Sequence, residues 1–412
     1  MKNPFLLPSL CLLMLLQLLS CKKDDEPTPP PPTMTPTELA ASMEDILDET
    51  EVPGFAISIV KDNAIIFQQA FGYADTEAQK PYTNQTVQHI ASASKTFVGA
   101  AVVKAIEQGY FTLDTDINDI LPVDVINPKQ PNTSITVKHL VTHTSGLLDV
   151  PSTYLAENYY ILPGEDISTV AASTLINELG IRQREGRSLE EFLAEYYLED
   201  GDLYSLDNFA ATAPGSSWSY SNVATGLTAY LIETATQQSF ADYVKANVFQ
   251  PLGMSSSTYD ISEVDMNNMA QWYFDRENPF PRYANDSYAE GSVFTTNIDF
   301  GQYLLDMMKG KQNLGGALFS ASGYDMLFAN QLPAGLVPAD FADNFGIFWI
   351  KEGNKIQHGG NSFGVSTQLV FDKNAQSGYT LMTNLDASFD YTAYAEVSQR
   401  IDQAIQSFIQ AN

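Results

Sequence analysis

The sequence predicts an α+β fold in which strands from both ends of the chain form one sheet and a mainly helical lobe is inserted between them. Two β-rich runs, residues 55–60 and 65–71, flank Asp62-Asn63, a pair typical of a hairpin turn. Strand patterns return only near Gly346, whereas residues 115–290 have mostly helical patterns. Strands from both chain ends that share one sheet make an α+β arrangement.

The individual elements follow from hydrophobic periodicity and from the residues that end helices. Residues 37–51 predict a first amphipathic helix. Residues 97–106 are apolar almost all round and lead to Gly109, which predicts a helix buried in the centre of a domain. The remaining predictions are helices at 136–141, 223–233 and 240–248, strands at 346–350, 355–358, 367–371 and 379–383, and a last amphipathic helix around 397–408.

The first 36 residues are predicted to be a targeting and spacer region. The apolar run at 5–19 is short for a membrane span and is typical of a signal peptide. It ends in Leu18-Leu19-Ser20-Cys21, which resembles the lipobox of bacterial lipoproteins, where the cysteine carries the lipid. We therefore expect a signal peptide at 1–20, a lipidated Cys21, and a Pro-rich linker at 21–36. A plain secretory signal is the alternative.

These features predict a lipid-anchored protein of the bacterial cell envelope, on the outer membrane. Two lysines followed by three acidic residues, at 22–26, resemble the signal that takes some Gram-negative lipoproteins to the outer surface. Surface exposure is therefore a further expectation. The predicted partners are the membrane and a small-molecule or peptide substrate, and nothing in the sequence indicates an oligomeric state.

Residues 37–412 are enough for one large domain with a substantial core. The net charge of −29 argues against a nucleic-acid partner, because such a surface repels phosphates. The two cysteines, Cys11 and Cys21, precede this domain, so no disulfide or thiol nucleophile is expected in it. His139 and His143 are four apart but lack an adjacent glutamate and a third ligand, so we expect no metal and no cofactor.

Ser92 and Lys95 form the first candidate catalytic pair. They stand one turn apart at the start of the predicted buried helix, so both side chains lie on one face. Burial is expected to lower the pKa of the Lys95 amine, which would then take a proton from the Ser92 hydroxyl. The spacing alone is a weak signal. Ser58 and Lys61 share it in a strand pattern, where their side chains point to opposite faces.

Two later segments strengthen this pair. Tyr220 and Asn222 stand two apart on a turn, where both side chains could face one site and Tyr220 could shuttle a proton beside Lys95. Residues 357–361, Gln-His-Gly-Gly-Asn, follow a strand. The glycines would let a substrate lie along the strand edge, and the N–H after them would complete an oxyanion hole.

In this order and spacing, the three motifs resemble the serine β-lactamase-related family. That family includes class C β-lactamases, D-alanyl-D-alanine carboxypeptidases, D-aminopeptidases and esterases. Segments 136–147, 251–254 and 289–296, with Asp299, are similar to further signatures of the family. The resemblance covers nearly all of residues 37–412. It implies a β-lactamase/transpeptidase-like fold, with an antiparallel sheet flanked by helices and the helical lobe at about 115–290.

The resemblance also implies roles for the motif residues. Ser92 would form an acyl-enzyme, and Lys95 and Tyr220 would share the proton transfers, with the base of each step left open. Asn222 would hydrogen-bond Lys95 and the substrate amide. The backbone N–H groups of Ser92 and Asn361 would hold the oxyanion, beside the strand edge of His358, Gly359 and Gly360.

Two departures from the family pattern bear on the substrate. His358 stands where class C β-lactamases and many relatives carry lysine, which puts efficient β-lactam hydrolysis in doubt. If His358 binds a substrate carboxylate, it would do so when charged and lose the interaction as it becomes neutral above roughly pH 7.5. The stretch 148–213 is longer than in most relatives. It is expected to be either a lid over the site or a surface excursion of the lobe.

The expected function is a serine hydrolase that acts on D-Ala-D-Ala-type peptides or on small esters and amides. A β-lactamase is the alternative activity, and a catalytically silent cell-surface binding protein is the alternative of another class. An α/β-hydrolase is set aside. Residues 360–364, Gly-Asn-Ser-Phe-Gly, fit the serine elbow of that fold, but its catalytic histidine must follow the elbow and no histidine follows His358.

Overall fold

The structure, a computed structural model, describes residues 34–386 and 391–412. The predicted signal peptide, Cys21 and most of the 21–36 linker lie outside the described residues. Within the described ranges, no helix is both long enough and apolar enough to cross a membrane.

Helices and strands alternate irregularly along the chain. The α-helices are α1 (Pro36–Asp48), α2 (Lys95–Glu107), α3 (Val137–Val141), α4 (Pro151–Thr153), α5 (Val170–Asn177), α6 (Leu189–Tyr197), α7 (Asn222–Thr236), α8 (Phe240–Val244), α9 (Gln250–Leu252), α10 (Asn297–Lys311), α11 (Ala321–Phe328) and α12 (Tyr391–Ala411). The strands are β1 (Gly54–Lys61), β2 (Ala64–Asp75), β3 (Lys80–Pro81), β4 (Gln88–His89), β5 (Tyr159–Ile161), β6 (Arg182–Gln183), β7 (Tyr273–Asp275), β8 (Asn278–Pro279), β9 (Tyr283–Asn285), β10 (Phe294–Thr295), β11 (Asn344–Phe345), β12 (Ile350–Glu352), β13 (Lys355–Ser362), β14 (Val365–Asp372) and β15 (Ser377–Thr383). Short 3₁₀-helices occur at Ala91–Ser94, Ile117–Asp119, Leu206–Asn208, Ile261–Glu263 and Tyr288–Glu290, and π-helical turns at Tyr154–Asn158 and Lys245–Phe249.

The main sheet joins the two ends of the chain, as predicted. Its eight strands run in the order β11-β12-β13-β14-β15-β1-β2-β3, and the paired strands are antiparallel. Phe55 of β1 lies opposite both Thr383 of β15 and Phe71 of β2. The first strand in the sequence, β1, thus joins the last strand, β15, to β2 within one sheet.

The two faces of this sheet pack against different layers of helix. Alternate residues of β1, such as Ile57 and Ile59, face the terminal helices α1 and α12 and form one apolar cluster with them. The opposite face carries Ser58, whose hydroxyl donates to the Asn297 side chain at the start of α10 (2.8 Å). The larger core lies on that side, between the sheet and the helical lobe.

Helix α2 is the centre of the larger core. Its residues are buried almost all round, and Gly109 follows its end with a φ of 84°, a left-handed conformation that glycine adopts without strain. Both features were predicted. The first residue of α2 is Lys95, which is fully buried.

The hairpin prediction is confirmed, and one strand prediction is wrong. Asp62 and Asn63 both have positive φ between β1 and β2, as a tight hairpin turn requires. Residues 346–349, predicted to be strand, instead form a turn in which Gly346 N–H donates to the Trp349 carbonyl (2.8 Å). Phe348 and Trp349 are buried there, so the apolar run reflects burial and not a strand.

The long stretch at 148–213 is anchored in the body of the protein. Residues of α6, including Phe192 and Tyr196, belong to the larger core. Strand β5 pairs with β9, and Asp286 after β9 accepts hydrogen bonds from Arg184 (2.7 Å) and Arg187 (2.8 Å). Core packing and a buried carboxylate therefore hold the stretch in place, and its role as a lid or as a surface excursion stays a prediction.

Candidate active site

The predicted nucleophile lies on a short 3₁₀ turn that leads into α2. Lys95 Nζ lies 3.1 Å from Ser92 Oγ, so the pair is in hydrogen-bond contact. Ser92 is partly exposed, whereas Lys95 is fully buried behind it. Ala91, directly before Ser92, has a φ of 45°, an uncommon conformation for a residue with a side chain.

Lys95 is held by a buried carboxylate on its other side. Its ammonium donates to the Glu290 main-chain carbonyl (3.0 Å) and lies 3.6 Å from Glu290 Oε2. Burial by itself lowers the pKa of Lys95, but the charge interactions with Tyr220, Glu290 and Asp149 outweigh it and raise the pKa above its ordinary value. The predicted lowering is therefore wrong, because the anionic neighbours were not visible in the motif. Lys95 is a cation at neutral pH.

Tyr220 lies beside this ammonium at the start of α7. Lys95 Nζ is 5.0 Å from the centroid of the Tyr220 ring. Asp149 fixes the segment that follows. It accepts hydrogen bonds from the Ser221 hydroxyl (2.8 Å) and from the Asn222 and Val223 N–H groups (2.7 and 3.0 Å). A carboxylate at a helix N-terminus is favoured by the free N–H groups and the helix dipole. Burial raises the pKa of Asp149, and these three hydrogen bonds oppose that rise.

His143 supports the Tyr220 ring from behind. The two ring centroids are 4.4 Å apart, and the planes are tilted by 32°. His143 Nδ1 accepts a hydrogen bond from Ser221 N–H (3.2 Å), so the remaining proton of the neutral ring is on Nε2. Burial, Lys95 and His358 hold the pKa of His143 well below its usual range. His143 thus packs against Tyr220 itself.

Strand β13 passes close beside the nucleophile. A Cβ added to Gly360 would lie 2.3 Å from the Ile90 carbonyl oxygen and 3.0 Å from Ser92 N, so only glycine allows this approach. A Cβ on Gly359 would meet only the Thr367 carbonyl oxygen, at 3.6 Å. The structure therefore brings the Gly359-Gly360 edge to Ser92, with exposed Asn361 next along the strand.

His358 differs from its expected chemistry. It is 2 % exposed, and its Nδ1–H donates to the Gly359 carbonyl (2.6 Å). Burial, with a contribution from Lys95, lowers the pKa of His358 to about 3. A cationic His358 that binds substrate carboxylate near neutral pH is not supported, because the ring is enclosed and remains neutral.

Asn222 also differs from expectation. Among the described residues, the hydrogen bonds of Lys95 Nζ go to Ser92, to the Glu290 carbonyl and to the Tyr220 side chain, and not to the Asn222 amide. Asn222 occupies the first position of α7, and its side chain lines a cavity of about 210 Å³ beside Ser92. Its expected contact with a substrate amide stays a proposal, as do the oxyanion roles of Ser92 N and Asn361 N.

Two cavities meet at the nucleophile. The larger, about 770 Å³, extends from Ser92 and Tyr220 over Gly359 to α12. The smaller, about 210 Å³, has aromatic walls that include Tyr154 and Tyr159 of the 148–213 stretch. Ser92 and Asn361 line both cavities. A substrate whose carbonyl lies at Ser92 could therefore place one of its two substituents in each cavity.

Comparisons with known proteins identify the family of the chain. The family model described as Beta-lactamase matches residues 39–401, most of the chain. The chain belongs to the Beta-lactamase family. It is similar to esterase EstB of Burkholderia gladioli, with 31% identity over 230 residues, which are 54% of this chain and 52% of EstB. It is also similar to protein flp of Staphylococcus aureus strain N315, with 24% identity over 53% of this chain and 37% of flp. The matched regions thus span about half or less of these curated relatives.

Two solved structures with a similar fold are a penicillin-binding protein homologue and a penicillin binding protein. An octameric penicillin-binding protein homologue from Pyrococcus abyssi matches with a TM-score of 0.66 and 22% identity, over 88% of this chain and 77% of that one. A penicillin binding protein from Bacillus halodurans matches with a TM-score of 0.64 and 22% identity, over 88% and 98%. At this identity the two matches show the fold, which confirms the predicted architecture.

Several site residues were not identified from the sequence. Asp149 follows the 136–147 signature, and Glu290 lies inside the 289–296 signature, so each had a positional signal but no assigned role. Tyr154 and Asn158 carried no signal, since their contacts with Glu290 span more than 130 residues of sequence.

Proposed function

We propose that this Beta-lactamase-family serine hydrolase cleaves neutral esters and amides through an acyl-enzyme on Ser92. The substrate class rests on His358, a buried neutral ring at the position where class C β-lactamases and many relatives would carry lysine. Lys95, the cation beside Ser92, is engaged by Glu290 and enclosed. A substrate carboxylate near Ser92 would thus be desolvated without a counter-charge, which is costly.

The charges along the larger cavity also favour a neutral substrate. Among its described lining residues, Lys355 carries the one lysine or arginine side chain. It lies six residues before Asn361 on β13, which is about 20 Å at the rise of a β-strand. This is too far for Lys355 to bind a carboxylate next to the scissile bond. The similarity to an esterase supports the same substrate class.

The proposed mechanism uses Lys95 as a permanent cation. Ser92 Oγ attacks the substrate carbonyl and forms a bond with its carbon, while the Ser92 proton passes to the Tyr220 oxygen and the hydroxyl proton of Tyr220 passes to the leaving oxygen or nitrogen. The bond between the carbonyl carbon and that leaving atom breaks, which releases an alcohol or an amine. The Lys95 ammonium stabilises the negative charge that develops on the Ser92 and Tyr220 oxygens. Water repeats the sequence to release the acid and restore Ser92.

A D-Ala-D-Ala-type carboxypeptidase activity ranks second, and a β-lactamase activity third. Both substrates carry a carboxylate near the scissile bond, and the described residues near Ser92 do not offer a free cation for it. We also propose the bacterial cell envelope as the location and a lipid on Cys21 as the anchor, on the strength of residues 18–21 alone.

The test is a matched pair of acyl esters, one with a free carboxylate beside the scissile bond and one with that carboxylate methylated. We expect kcat/KM to be at least about tenfold higher for the methylated ester, a difference of about 1.4 kcal/mol in transition-state binding. The Ser92→Ala variant is the control for background hydrolysis. A preference for the free carboxylate would overturn the neutral-substrate proposal and favour a carboxypeptidase.

A further inference from the structure

Glu290 is a buried carboxylate with an unusually complete set of donors. Its Oε1 accepts hydrogen bonds from the Tyr154 hydroxyl (2.5 Å) and the Asn158 amide (3.2 Å), two residues of the 148–213 stretch. The Asn285 amide (3.0 Å) and the Ser287 hydroxyl (3.1 Å) donate to the same oxygen. These bonds leave Oε2 directed at Lys95 Nζ, 3.6 Å away.

The donors to Glu290 are themselves fixed. Asn158 Oδ1 accepts from Ser287 N–H (2.8 Å), and the Asn158 carbonyl accepts from Asp286 N–H (3.0 Å). The Asp286 carboxylate is fully buried and is held by Arg184 and Arg187. The 148–213 stretch is therefore connected to Glu290 through residues that cannot shift independently.

A buried ammonium needs this counter-charge. Lys95 and Glu290 are 0 % and 2 % exposed, so neither charge is compensated by water. Without the Glu290 carboxylate, the pKa of Lys95 would fall, and on this side Nζ would keep only its hydrogen bond to the Glu290 main-chain carbonyl.

We propose that Glu290 is a positioning residue for Lys95, held in place by Tyr154 and Asn158 of the 148–213 stretch. This inference rests on the proposed function. Glu290 would fix the ammonium against Ser92 and keep it charged throughout the reaction. The long stretch would then be a supporting part of the catalytic apparatus.

Several titratable groups face this pair, and each must be considered in a pH test. Burial raises the pKa of Glu290, whereas Lys95 and the Tyr154 and Ser287 hydrogen bonds lower it, and Asp149 raises it. The titratable groups that interact with Lys95, in addition to Glu290, are Tyr220, Asp149, His143 and His358. Tyr154 and Tyr159 also interact with Glu290, and burial raises the pKa of both.

The test compares pH–rate profiles of the full-length wild type and Glu290→Gln on a neutral ester. Removal of the negative charge lowers the pKa of Lys95, so the alkaline fall in kcat should move to lower pH by about 1 to 3 units. Wild type should retain its rate to higher pH than Glu290→Gln, because the anionic neighbours hold the pKa of Lys95 above its ordinary value. Glu290→Asp should restore the position of the alkaline fall while kcat stays below that of wild type.

Asp306→Asn is the matched control. Asp306 is also buried and also accepts from a tyrosine, Tyr324 (2.5 Å), but it lines neither cavity at Ser92. Its profile should keep the wild-type alkaline fall. The positioning role would be overturned if the alkaline fall in kcat of Glu290→Gln occurred at the same pH as in wild type. It would also be overturned if Asp306→Asn shifted that fall as far as Glu290→Gln does.

If Glu290→Gln does not fold, Tyr154→Phe tests the support of Glu290 by the 148–213 stretch. This variant keeps the aromatic ring at position 154 and leaves the Glu290 carboxylate in place, but it removes the Tyr154 hydroxyl that donates to Glu290. We expect kcat to fall at least about fivefold. An unchanged kcat would refute the role of the 148–213 stretch. A wild type that shows neither ester hydrolysis nor labelling of Ser92 would instead refute the proposed function.

Discussion

The close contact between β13 and the nucleophile predicts opposite outcomes for two adjacent glycines. In Gly360→Ala the added methyl would lie 2.3 Å from the Ile90 carbonyl oxygen and 3.0 Å from both Ser92 N and Ala93 N. All three atoms are main chain, so the strand or the nucleophile turn must move by roughly 1 Å to restore ordinary contact. In Gly359→Ala the methyl would meet one atom at 3.6 Å, an ordinary distance.

The size of the effect follows from that displacement. Overpacking of a well-packed site costs about 1–3 kcal/mol in stability, and a misplacement of about 1 Å in an active site costs about 100-fold in rate. We expect Gly360→Ala to lose about 100-fold in kcat/KM on a neutral ester. Gly359→Ala should lose less than about tenfold.

The assay measures kcat/KM and the rate of labelling by a fluorophosphonate probe for both variants. Thermal unfolding shows whether each variant is folded at the assay temperature. Equal losses in the two variants, or a Gly360→Ala variant with wild-type labelling, would refute the inferred contact between β13 and the Ser92 turn.

Three further predictions concern histidine, the 148–213 stretch and the anchor. Burial lowers the pKa of His358 in the folded protein to about 3. As pH falls below about 6.5, His358 is therefore protonated in the unfolded chain while it is still neutral in the folded protein, which favours unfolding. The stability advantage of wild type over His358→Gln should therefore shrink by about 2 kcal/mol between pH 7 and pH 5 in urea unfolding, and a constant difference would contradict the buried neutral ring. Asp286→Asn removes the charge that holds Arg184 and Arg187 and should lower the free energy of unfolding by at least about 2 kcal/mol. Asp166→Asn, on the exposed surface, should leave the free energy of unfolding unchanged. Cys21→Ser should move the protein from the membrane to the soluble fraction, and a variant that still sediments with membranes would rule out the lipid anchor.

Local and periodic features of the fold were predictable from the sequence. The β1–β2 hairpin, the buried helix α2 and the terminal strands all follow from short-range patterns of apolar and turn residues. The failure at 346–349 has the same origin. Phe348 and Trp349 are apolar because they are buried, and periodicity alone does not distinguish a buried turn from a strand.

The candidate site was predictable where its residues lie in one motif. Ser92 and Lys95 are neighbours on one helix start, and their contact follows from helix geometry. The protonation of Lys95 was not predictable, because it depends on Glu290 and Asp149, which are distant in sequence. His358 was misjudged for the same reason. Its residue type was visible, but its enclosure depends on packing by other segments.

Mass spectrometry of the full-length protein, acid-quenched during turnover of a neutral ester, would detect the acyl-enzyme itself. The acyl-enzyme mechanism predicts one added acyl group, located by peptide mapping on Ser92, and no addition in Ser92→Ala. Turnover without an adduct on Ser92, or an adduct that persists in Ser92→Ala, would contradict it.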